Sequence, residues 1–167
     1  EVSASGHVES FEHASSTDHE ALRPYGDKRT LVMVANSNRD VTWSMEESAR
    51  LFLSQSYGNL RFSYDYLRIN AEISCNLGIL CNRFKTEASR SVSLSNYDSF
   101  TIVMSSNSCP YGGMAFVGGN CLSVQSYSNK NLASVKMHED GHNLGGGHGN
   151  KNGVAYKDYD DALSGSY

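Results

Sequence analysis

No stretch of this chain of 167 residues is fit to cross a bilayer as a helix, because no apolar run approaches the roughly 20 residues that requires. Positive charge is also short. The formal net charge is -4 and the pI is near 5.8, so no basic field draws nucleic acid or an anionic membrane surface. The four cysteines, Cys75, Cys81, Cys109 and Cys121, contain no Cys-x-x-Cys pair, which excludes the usual thiolate zinc and redox motifs. No Asn-x-Ser/Thr acceptor occurs, so N-glycosylation gives no guide to the compartment. The sequence opens on Glu1 without a signal-like apolar segment, as expected of a mature or partial chain whose leader is gone.

What is present concentrates between Lys136 and Gly149. His138 and His142 are four residues apart, so a helix projects both imidazoles from one face, about a turn apart. Placed that way, they can fill two corners of a zinc tetrahedron. Glu139 lies about 100° around the helix from His138, which brings its carboxylate beside such a site without making it a ligand. Gly145 can take the positive φ that stops a helix and turns the chain, returning His148 as a third nitrogen ligand. Three protein ligands leave a coordination position for water, the arrangement of a catalytic rather than a structural zinc.

The pattern His138-Glu139-x-x-His142-x-x-Gly145-x-x-His148 resembles the signature of the metzincins, secreted zinc endopeptidases. Upstream, the run from Tyr111 to Gly119 (Tyr-Gly-Gly-Met-Ala-Phe-Val-Gly-Gly), together with His142-Asn143-Leu144-Gly145, is most similar to the gametolysin-like branch. The likeness spans roughly Ser99 to the C-terminus. It implies a zinc-bound water with Glu139 as general base, a protein or peptide substrate and an extracellular location. It also implies a methionine turn below the zinc, yet no Met follows Met137; laid without gaps on that pattern, residues 156–164 put Leu163 in the methionine's place. Asp140 is a second departure, standing where relatives carry an apolar residue, and a carboxylate there must find a partner or reach solvent. The rival reading is a zinc-binding domain without turnover, kept for adhesion or recognition. Retention of Glu139 counts against it. Structural calcium and substrate preference leave no readable mark.

The rest of the chain reads as scaffold. Residues 1–28 are polar and without periodicity, a mobile leader in which His7, His13 and His19 recur every six residues, a spacing that suits no helix or strand face. Residues 29–167 form the catalytic domain, an upper subdomain to about 145 and a partial lower one over 146–167, the chain ending where more of it is expected. The whole fits one monomeric domain. Arg29–Asn36 and Phe100–Met104 read as buried strands, Leu60–Ile69 as a half-exposed one, and Cys121–Gln125 as another. A helix is expected from the possible capping box at Ser44 and Glu47 to about Tyr57, with Gly58 as its stop and Trp43 packed in the core. A second helix spans Asn131–Leu144, with Ala133, Met137, Gly141 and Leu144 as its apolar stripe. Residues 70–98 read as loop. Met114, Ala115, Phe116 and Val117 form the expected antiparallel edge strand, whose free backbone groups can take an extended peptide. The resulting fold class is α/β (α+β): a twisted, mostly parallel sheet with an antiparallel edge, two main helices and a zinc cleft below, as in the metzincin upper subdomain. Disulfides would imply an oxidising compartment; three pairings are possible, and Cys75–Cys81 with Cys109–Cys121 is the simplest.

Overall fold

The computed structural model describes residues 22–37, 39–126, 129–148, 150–151 and 154–155. Of the expected leader, residues 1–28, those up to 21 with the three histidines lie outside the described residues, as does the segment carrying Leu163. Its end does not hold as leader, since Leu22 is buried and residues 26–28 already belong to the first strand.

Five strands form one sheet in the order β2-β1-β3-β5-β4. They are β1 (Gly26–Ala35), β2 (Leu60–Ile69), β3 (Ser99–Ser105), β4 (Gly113–Ala115) and β5 (Cys121–Ser126). β2, β1, β3 and β5 run parallel, and β4 closes one edge antiparallel to β5. The central strands are continuous apolar runs because both their faces are covered. Leu31, Met33, Phe100, Ile102 and Met104 point to one side; Val32, Val34, Val103, Leu122 and Val124 point to the other. β2 borders solvent at the opposite edge and alternates, with Phe62 buried between the exposed Arg61 and Ser63.

Among the described residues three helices pack on the sheet, not two. α1 (Thr42–Gln55) and α3 (Asn129–Asn143) share the Val32 face through Met45, Leu132 and Val135. α2 (Leu77–Ala88) covers the other face, inside the segment expected to be loop. Its buried residues Leu77, Leu80, Cys81, Phe84 and Ala88 fall at helical spacing. Asn76 caps it by accepting a hydrogen bond from the Ile79 N–H at 3.1 Å.

Local expectations for α1 also change. The Ser44–Glu47 capping box does not form: the helix starts at Thr42, whose N–H is held by Asp40 at 2.9 Å, Ser44 is buried, and Glu47 instead pairs with Arg50. Tyr57 itself takes the left-handed conformation that ends the helix (φ 53°), and Gly58 follows it at φ 82°. Trp43 is 48 % exposed rather than in the core, because it sits about 200° around the helix from the buried Met45. On α3 the core contact is made by Leu132 and Val135, while Met137 and Gly141 are only half-buried.

The disulfides are Cys75–Cys109 and Cys81–Cys121, spanning 34 and 40 residues, so the neighbouring pairs expected from sequence do not occur. Cys81 lies on the inner side of α2 and Cys121 on the strand beneath it, which makes the long-range pair the reachable one. Reduction should cost about 2–4 kcal/mol per bridge, read as a lowered denaturant midpoint against the oxidised protein. Equal midpoints would show that the packed sheet needs neither bridge.

Candidate metal centre

α3 carries the first two candidate ligands, and the way it ends supplies the third. The Gly146 N–H bonds to the Gly141 carbonyl and the Gly145 N–H to the His142 carbonyl, both at 2.8 Å, with Gly145 at φ 96°. This is a Schellman turn, in which the positive-φ position favours glycine. It reverses the chain and puts the Gly146 carbonyl 2.8 Å from His142 Nδ1. A carbonyl can only accept, so Nδ1 carries the hydrogen and His142 Nε2 is left with a lone pair.

That lone pair faces two other ring nitrogens. His138 Nε2 stands 3.1 Å from His142 Nε2, and His148 Nε2 stands 3.0 Å from it. His138, His142 and His148 form the group of potential ligands among the described residues, with donor atoms all within 4.8 Å of one another. Neutral imidazole nitrogens crowded together repel one another unless a cation or protons lie between them. Tetrahedral zinc at the usual bond length sets neighbouring nitrogens about 3.3 Å apart, close to the two spacings from His142. The donor set therefore fits a zinc ion, as the sequence spacing implied.

Glu139 is 5 % exposed and is not among the converging donors. Burial first, and the neighbouring Asp140 carboxylate second, push its carboxyl up to about 8. A cation held by the imidazoles acts in the opposite sense. The start of β4 lies directly on this side chain. A Cβ on Gly113 would fall 2.5 Å from Glu139 Oε1, 2.8 Å from its Cγ and 2.6 Å from Val135 Cγ1. Only glycine lets strand and helix approach this closely. Gly113→Ala should lower kcat/KM by about 10²-fold at unchanged metal content, since displacements near 1 Å can cost that much. An unchanged kcat/KM would mean that the neighbours give way freely.

The approach to β4 is fixed by Gln125, a residue the sequence reading did not single out. It is fully buried, and its side chain serves a loop as a strand backbone would. Oε1 accepts from the Ser108 and Cys109 N–H groups at 2.7 and 3.3 Å, while Nε2 donates to the Cys109 carbonyl at 2.8 Å and also to that of Tyr111. An amide side chain in a short strand that otherwise alternates apolar residues with serine is the only sequence signal it leaves.

Of the four expected edge-strand residues, Met114 and Ala115 belong to β4, which among the described residues pairs with β5 alone. Phe116 and Val117 do not. The chain leaves the ladder at Phe116 through a tight turn, with the Gly119 N–H bonded to the Phe116 carbonyl at 3.0 Å and Gly118 at φ 68°.

Asp140 has its partner. It forms a fully buried ion pair with Lys136, whose Nζ lies 5.4 and 5.3 Å from the ring centroids of Phe62 and Tyr64. Burial drives the Asp140 carboxyl up and the Lys136 ammonium down, and each charge opposes that shift in the other.

Compared with known proteins, residues 30–166 match the model of the gametolysin peptidase M11 family. The structure of archaemetzincin from Methanopyrus kandleri is similar, with a TM-score of 0.55 and 16% identity over 83% of this chain and 82% of that one. Metalloproteinase-II from Bacteroides fragilis matches with a TM-score of 0.48 and 17% identity over 77% of this chain and 45% of that one. No curated protein sequence matches.

Proposed function

Starting from the premise that this chain belongs to the gametolysin peptidase M11 family and is a metzincin-like zinc metalloprotease, we propose that it is a secreted endopeptidase in which His138, His142 and His148 hold the zinc and Glu139 is the general base. The observation that carries the reading is the convergence of three Nε2 atoms around a His142 whose tautomer is set by the Gly146 carbonyl. When bound, zinc supplies Lewis acidity, lowering the pKa of a water it holds towards about 7 and polarising a substrate carbonyl.

The chain's own residues do the rest. Glu139 takes the proton from the attacking water at its carboxylate and passes a proton to the leaving amine. Gly113 lets β4 rest against that carboxylate and so sets where it can point. β4, unpaired on its outer side among the described residues, offers its N–H and C=O groups to an extended peptide, holding the scissile bond beside Glu139. A strand open along one edge suits the middle of a chain as well as its end, which favours endopeptidase action. Two disulfides suit an oxidising compartment and so favour secretion.

The test joins metal analysis to peptide-library cleavage. The purified chain should carry one zinc and cut within peptides. His148→Ala should lose that zinc on dialysis against a mild chelator, since two helix histidines leave the coordination half to solvent. Stoichiometric zinc in this variant would remove His148 from the ligand set.

A further inference from the structure

The turn that follows β4 holds large apolar side chains out in solvent. Val117 is 62 % exposed, Phe116 40 %, and Ile79 on the first turn of α2 52 %. The Phe116 ring reaches the start of α2, where a Cβ on Gly78, the residue before Ile79, would be 3.9 Å from its tip. Apolar residues scattered singly need no explanation, but neighbouring ones beside a metal centre do.

This turn is also firmly built. The Gly118 N–H donates to the His142 carbonyl at 2.8 Å, so the turn is fastened to the last turn of α3 at one of the histidines. A Cβ on Gly119 would lie 2.7 Å from the Phe116 Cβ, so the glycine gives the Phe116 side chain its place. α2 is tied down in turn, by Cys81–Cys121 to β5 and by Cys75–Cys109 to the loop before β4. Exposed apolar groups on an anchored frame are suited to binding, because little ordering entropy remains to be lost.

We infer that Phe116, Val117 and Ile79 form a specificity subsite for a bulky aliphatic or aromatic side chain of the substrate, three to four residues amino-terminal to the scissile bond. The inference rests on the reading that a peptide adds to β4. Gly113 lies against Glu139, and β4 carries the chain two residues further, to Ala115, about 7 Å at the usual strand rise, before the turn that holds Phe116 and Val117. A substrate antiparallel to β4 passes Glu139 with its scissile bond and reaches the turn with residues three or four positions earlier. The ladder has ended there, so the turn offers side-chain contact rather than backbone pairing. Among the described residues the open edge of β4 runs straight into this turn, and that continuity identifies the occupant as substrate.

The test compares peptides carrying Leu or Ser at those positions, in the wild-type chain and in Phe116→Ser/Val117→Ser, with Ile79→Ser as a second variant. The wild type should prefer Leu by about tenfold in kcat/KM, the low end for an apolar contact. Both variants should move that ratio towards one, with thermal midpoints reporting that they remain folded. Binding of the same peptides to Glu139→Gln, measured by fluorescence anisotropy, separates recognition from chemistry. Cleavage with a wild-type ratio near one, or a ratio the variants leave intact, overturns the subsite and leaves the peptidase standing. Leu-selective binding by a chain that hydrolyses nothing supports the subsite and removes the peptidase reading. Failure of every peptide to bind removes both. A wild-type dimer that Val117→Ser converts to monomer would instead make the patch an interface between copies and overturn the proposal.

Discussion

Glu139→Ala is expected to lower turnover by about 10²–10⁴-fold, the usual contribution of a general base, while the protein keeps its zinc. The two halves of this result have separate structural origins. Glu139 gives no atom to the converging nitrogens, so its removal leaves three imidazoles and the Gly146 bond that orients one of them. Of the two acidic residues between the first two histidines, Asp140 is taken up by Lys136, and Glu139 is the one packed where the edge strand meets the site. Elemental analysis and single-turnover cleavage of one peptide measure both halves. A variant retaining a tenth of wild-type turnover would end the general-base assignment. Gly113→Ala gives an internal control. Its harm comes from crowding the Glu139 side chain, so on the Glu139→Ala background it should cost little more turnover, a non-additivity expected of residues acting through one contact.

The parts of this molecule that could be read in advance are those fixed by local rules. α3 and its histidines follow from helical period, and Gly145 marks the helix end because a Schellman turn needs a residue at ease with positive φ. β1 and β3 announce themselves as apolar runs because both faces of a central strand are covered. α2 was missed although its stripe is regular, because that stripe counts Cys81 as apolar and the helix carries Gly78 in its first turn. The disulfide pairing was beyond local reading, since it depends on α2 and β5 meeting through the fold. Phe116 and Val117 continue the apolar run of β4, and only the glycines after them signal that the ladder stops. Gln125 was invisible for another reason: its partners are the backbone of a loop up to 17 residues earlier, which no periodicity encodes.

Asp140→Ala should be the most destabilising single change on α3, by about 3–5 kcal/mol, because it strands Lys136 without its counter-charge. Neither side chain has exposed surface. The Phe62 and Tyr64 rings stabilise a desolvated ammonium by about 2 kcal/mol or somewhat more, still short of what the lost carboxylate supplied. Against a typical total near 5–15 kcal/mol, such a loss leaves little margin at physiological temperature. The pair itself is not the cheapest way to fill this space. Among the described residues, Asp140 Oδ1 and both amide atoms of Asn143 are buried with no hydrogen-bond partner, so the polar cluster is incompletely satisfied. Replacing both charges with apolar residues of similar size, Lys136→Met with Asp140→Leu, should therefore recover most of the loss and can exceed wild type, as apolar substitutes for buried ion pairs often do. Denaturant unfolding of wild type, the single variant and the double variant decides the matter. If Asp140→Ala unfolds within about 1 kcal/mol of wild type, Lys136 has another way to keep or shed its charge. If the double variant is as unstable as the single one, the pair holds α3 against β2 by more than charge balance.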